Sequence, residues 1–92
     1  MCGALIGGMD RLKREYIDTA KRHGVELKVF TGKENKIHGK LGNPNFLIMF
    51  TNKVSHEARR SVMSHAKSQR IPVYMMHSCG VSSLDNCLKE QV

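Results

Sequence analysis

The sequence has no Trp and only two Tyr and three Phe in 92 residues. A core made from it must therefore be filled by aliphatic side chains and methionine. It also lacks a long apolar run. The longest, Phe46 to Phe50, is far short of the roughly 20 residues that span a membrane. Met1-Cys2-Gly3 leads straight into a strand-like run, without the basic region and apolar stretch of a secretory leader, so a cytoplasmic protein is expected. Cysteine is scarce and odd in number. Three cysteines with no C-x-x-C pair argue against a disulfide framework, a zinc ribbon and a thioredoxin-type motif. No G-x-G-x-x-G or G-x-x-x-x-G-K-[ST] occurs, which speaks against a nicotinamide dinucleotide and a phosphate-binding loop of that kind.

The chain is 40% hydrophobic, enough for one small domain over residues 1–92. A domain of this size often gains stability by pairing, and a homodimer is expected. The formal net charge is +7, which fits a nucleic acid or another anionic partner. The basic residues are nevertheless spread along the chain with no block of five or six. A solvated Lys-rich surface accounts for the same charge.

Gly3 to Gly8 is a short apolar run closed by two glycines, which predicts a buried first strand. From Met9 to His23 the apolar positions Met9, Leu12, Tyr16, Ile17 and Ala20 have helical spacing, and Gly24 follows as a terminator. Val25 to Phe30 alternates like a half-covered edge strand. Lys33 to Pro44 has no period and predicts a loop, with Lys33, Lys36, His38 and Lys40 placed to reach over an anion. Asn45 to Thr51 is the most apolar strand and is expected at the centre. Ser55 has the position of an N-cap, and Ala58, Val62 and Ala66 form the buried stripe of the next helix. Ile71 to Met76 reads as a buried last strand, and Val81, Leu84 and Leu88 as the apolar face of a last helix. This order predicts an α/β fold: a small open parallel four-stranded sheet with helices on both faces. The expected strand order is 2-1-3-4, flavodoxin-like and equivalent to half of a Rossmann-type sheet.

Ligands of such sheets sit beyond the carboxyl ends of the strands. There the sequence delivers Gly7 and Gly8, then Thr31 to Lys33, then Thr51 to His56, and finally His77 to Cys79, with no carboxylate among them. Such a rim, fed by helix N-termini, suits a phosphate or carboxylate. The candidate ligand-binding residues are Gly8, Lys53, Ser55, His56, Ser82 and Ser83. Turns and caps alone would explain Gly8, Ser55 and Ser82. They do not explain His56, His77 and Cys79 at adjacent strand exits.

Cys2 and Cys79 lie at opposite ends of a parallel sheet, on the order of 13 Å apart. Cys87 is eight residues past Cys79, on the order of 12 Å along a helix. Cysteine chemistry therefore rests on Cys79, beside a helix N-terminus and His77, both of which favour thiolate. Cys79 is the one candidate nucleophile, and a buried structural thiol is the plain alternative. His56, His77 and Cys79 together would make a three-ligand site for a metal ion or haem. His23, His38 and His65 read as exposed helix or loop residues with no assigned role. Three readings follow: an anion-binding or sensing module, a metal, haem or thiol redox protein, and a basic nucleic-acid binder. Catalysis has the least support, because no carboxylate stands at the strand exits.

The segments Ala4-Leu5-Ile6-Gly7-Gly8, Val29-Phe30-Thr31-Gly32 with its basic loop, Phe50-Thr51-Asn52-Lys53-Val54-Ser55-His56, Arg70-Ile71-Pro72-Val73 and Val81-Ser82-Ser83-Leu84 stand in fixed order. In this order and spacing, over nearly the whole chain, the sequence resembles a family of small bacterial proteins catalogued as domain of unknown function 2325. The resemblance implies the parallel-sheet fold and a strand-exit site. Many members of that family carry basic residues where this chain has His77-Ser78-Cys79, a departure from the pattern the resemblance implies.

Overall fold

The computed structural model describes residues 1–30, 42–51, 54–77 and 80–91. Its strands are β1 (Cys2–Ile6), β2 (Glu26–Phe30), β3 (Phe46–Phe50) and β4 (Val73–Met76). Its α-helices are α1 (Lys13–Arg22), α2 (His56–Gln69) and α3 (Val81–Gln91), and a 3₁₀ turn, Asp10–Leu12, precedes α1. All strand pairs are parallel, in the order β2-β1-β3-β4, as the alternation of strands and helices predicts. The predicted loop of 33–44 falls mostly outside the described residues, which resume at Gly42.

Strand position follows from composition. Every residue of β3 is buried, as expected for a strand covered on both faces and rich in apolar side chains. β2 is an outer strand: Leu27, Val29 and Phe30 are buried, whereas Glu26 and Lys28 are exposed. β4 departs from the buried strand its sequence predicts. Among the described residues it has one neighbouring strand; Val73, Tyr74 and Met76 are half-buried and Met75 is 40% exposed.

Two apolar layers flank the sheet. On one face Leu5, Leu27, Val29, Ile48 and Phe50 pack with Tyr16 and Ala20 of α1 and with Leu84, Cys87 and Leu88 of α3. On the other, Ala4, Ile6, Leu47 and Met49 pack with Val62 and Ala66 of α2. The helix linking β1 to β2 and the helix linking β3 to β4 therefore lie on opposite faces. The sheet grows in opposite directions from the β1–β3 pair, which makes that pair the point where strand order reverses.

The helix ends follow local chemistry. Gly24, at φ 74°, ends α1 and donates its N–H to the Lys21 carbonyl. Ser55 caps α2, its Oγ accepting from the Ala58 N–H at 3.2 Å. The same helix ends on Arg70 in the left-handed region, φ 58°. That conformation usually calls for glycine or asparagine.

Candidate functional site

The carboxyl edge is assembled from the turns after β1, β3 and β4. After β3, the Thr51 hydroxyl donates to the Met76 carbonyl at 3.4 Å, and its Oγ1 lies 3.4 Å from Nδ1 of His77. One hydroxyl thus ties the exits of β3 and β4 together. His77 is exposed and Thr51 half-buried. Beside them α2 begins at His56, also exposed, and the Ser55 carbonyl takes the first helical hydrogen bond from Arg59 N–H at 2.9 Å. Ser55 Oγ serves the cap, so its contribution at this edge is to hold the helix start in place.

The glycines after β1 do a different job. The N–H groups of Gly7 and Gly8 both donate to the Phe30 carbonyl, at 2.8 and 3.4 Å. A Cβ on Gly8 would stand 2.8 Å from Cε2 of Tyr16, and one on Gly7 only 2.5 Å from Cγ2 of Val54. Gly8 makes room for a buried tyrosine, whose hydroxyl accepts from Met9 N–H at 3.3 Å. Gly7 makes room for the segment that follows β3.

Ser82 turns away from the other candidates. It lines a cavity of about 300 Å³ between α1 and α3, with Thr19, Arg22, Val81, Asp85 and Asn86. Ser83 is half-buried in the first turn of α3. Lys53 and Cys79 lie outside the described residues. Thr51 and His77 are brought together at one edge, with Ser55 and His56 at the adjoining helix start. Gly8 is sequestered under Tyr16 and Ser82 in the α1–α3 groove. Among the described residues, no three His, Cys, Asp or Glu side chains come together as metal ligands.

Some polar chemistry was not anticipated. His23, assigned no role from sequence, has its Nε2 2.8 Å from Oδ1 of Asp85, while Lys89 reaches Oδ2 of the same carboxylate at 3.3 Å. The His23 hydrogen bond, helped by Lys89, holds the Asp85 pKa below the ordinary carboxylate value. The i,i+4 spacing of Asp85 and Lys89 was readable, but no local pattern reports a contact across 62 residues. Cys87 is buried among the apolar side chains of α3, and its thiol is pushed up, chiefly by burial and then by the charge of Glu90. Cys2 is exposed, with Sγ 3.7 Å from Oε2 of Glu26.

Among the described residues, no helix is long and apolar enough to cross a membrane. No curated protein and no solved structure matches the chain. A family model described as "Uncharacterized protein conserved in bacteria (DUF2325)" matches residues 2–91. With almost its full length covered by that model, the chain belongs to this bacterial family.

Proposed function

We propose that the protein is a small binding or sensing module that holds an anionic small molecule at the carboxyl edge of its sheet. The ligand lies over the exits of β3 and β4, against Thr51, His77 and the start of α2, with Lys53 supplying a cation. The observation that carries this reading is the meeting of Thr51 and His77, 3.4 Å apart, beside the N-terminus of a 14-residue helix. The Thr51 hydroxyl, its proton given to the Met76 carbonyl, holds His77 in place; the imidazole donates to an anion, and the helix start adds its positive dipole end. The +7 net charge works in the same direction. The working unit is taken to be a homodimer. Among the described residues β2 and β4 each have one strand neighbour, which leaves an edge open for pairing.

Titration with inorganic phosphate, followed through backbone amide chemical shifts, tests the reading. Shifts are expected at Thr51, Ser55, His56 and His77. Lys53→Ala and Thr51→Val should each weaken binding several-fold while leaving the remaining spectrum unchanged. Unchanged affinity in both variants, or shifts confined to the α1–α3 groove, would refute it. Native mass spectrometry of the same sample reads the dimer mass and any retained ligand.

A further inference from the structure

We infer that the flank of α2 on the β4 side is a docking surface for the phosphodiester backbone of a nucleic acid, running from the helix start it shares with the strand-exit site to the far end of the helix. At 100° per residue, His56, Arg59, Arg60 and Lys67 project within an arc of about 100°. Arg70 follows at the C-cap. All five are exposed. The side of the helix is fixed by a contact: Nη2 of Arg59 reaches Sδ of Met75 on β4 at 3.6 Å. The opposite flank holds Glu57, Ser61, Ser64, His65 and Ser68. Its orientation is fixed by His65, whose Nε2 lies 2.9 Å from the Gly42 carbonyl, on the chain leading into β3. The one acid of α2 therefore faces away from its basic residues, and β4 carries no charge.

The helical layer on the other face of the sheet is balanced differently. Its residues, 10–22 and 81–91, carry six Lys or Arg against five Asp or Glu. The ion pairs among the described residues also lie there, His23–Asp85 and Lys89–Asp85. The α2 flank holds Arg59, Arg60, Lys67 and Arg70 with no acid among them. From His56 to Arg70 the row is about 21 Å long. A straight row of this length matches the regular charge of a nucleic-acid backbone, which every sequence presents alike. Insertion into a lipid interface would call for aromatic or leucine side chains between the cations, and this flank has none.

Fluorescence anisotropy with a labelled mixed-sequence DNA duplex, and with single-stranded RNA as a second probe, tests the surface. Four cation–phosphate contacts give a slope of log affinity on log salt of about −3.6, a loss on the order of 10²-fold between about 50 and 200 mM salt. Arg60→Gln combined with Lys67→Gln should halve the slope, so that the same interval costs only about 10-fold. Lys13→Gln with Arg14→Gln on α1 should leave the slope unchanged, and thermal melts should show both variants folded. The inference is overturned by no binding to either probe at the lower salt, by an unchanged slope in the α2 variant, or by an equal loss in the α1 variant. Phosphatidylserine vesicles or polyglutamate binding as tightly as the nucleic acids would also overturn it.

Discussion

Replacing Gly7 by alanine tests the packing at the carboxyl end of β1. The residue sits at φ 86°, a region that costs an L-residue about 1–2 kcal/mol. The new methyl would stand 2.5 Å from Cγ2 of Val54 and 2.8 Å from the carbonyl oxygen of Phe50. The first neighbour is a side chain that can shift. The second is backbone of the central strand and cannot move without disturbing β3. Overpacking of this kind costs about 1–3 kcal/mol, so Gly7→Ala should destabilise by about 2–5 kcal/mol in total. For a domain of this size each kcal/mol lowers Tm by about 4–8 °C. Urea denaturation followed by circular dichroism measures the loss. Combining the change with Val54→Ala removes the 2.5 Å contact but leaves the strained φ and the Phe50 carbonyl. The pair should therefore show a favourable coupling of about 0.5–3 kcal/mol with only partial recovery. A Gly7→Ala variant within about 0.5 kcal/mol of the parent, or a pair with no coupling, would refute the reasoning.

Ser55→Ala should destabilise by about 1 kcal/mol, because the Ala58 N–H loses its capping oxygen; thermal denaturation measures it, and Ser55→Asp should restore most of the loss. The Asp85 carboxyl is held below its usual pKa in the folded state, first by its hydrogen bond with His23. The stability from this pairing is present above the unfolded carboxylate value, near 3.9, and is lost as pH falls through the lower folded value. Asp85→Asn should flatten the fall of the urea midpoint below about pH 4, and an unchanged acid limb would count against the pairing. In a Cys79→Ser background, a thiol-specific disulfide reagent should modify the exposed Cys2 quickly. It should reach the buried Cys87, whose thiol is held protonated by burial, only on unfolding.

What could be read in advance was what depends on near neighbours in sequence. The apolar run Phe46–Phe50 announced a strand covered on both faces. Ser55 and Gly24 announced helix ends because capping is decided within a few residues. The stripe of Val62 and Ala66 followed from helical period alone. What could not be read depends on long-range pairing. The His23–Asp85 contact joins the end of α1 to α3, and nothing near either residue marks the other. Arg70 in the left-handed region was hidden because its side chain gives no sign of that backbone. The run of Val73 to Met76 was misleading for a related reason: four apolar residues look buried in sequence, yet exposure is set by how many strands lie beside them.

The glycines at the end of β1 also answer to packing. In open parallel sheets the crevice at the reversal of strand order is the usual place for a ligand, and adjacent glycines there suggest backbone left free to approach one. In this sheet the Gly7 and Gly8 N–H groups are both occupied by the Phe30 carbonyl. The space above Gly7 is taken by Val54, and that beside Gly8 by Tyr16. Packing is a sufficient cause for both glycines. In the proposed reading an anion therefore draws its donors one strand further along, from His77 and the start of α2, with Thr51 holding the imidazole. This makes the length and path of the turn after β3 decisive. Val54 closes the crevice over β1 while Ser55, the next residue, fixes the helix start beside β4. A change that loosens Val54 from Gly7 acts on packing and on the aim of α2 together, even though neither side chain touches the ligand in this reading.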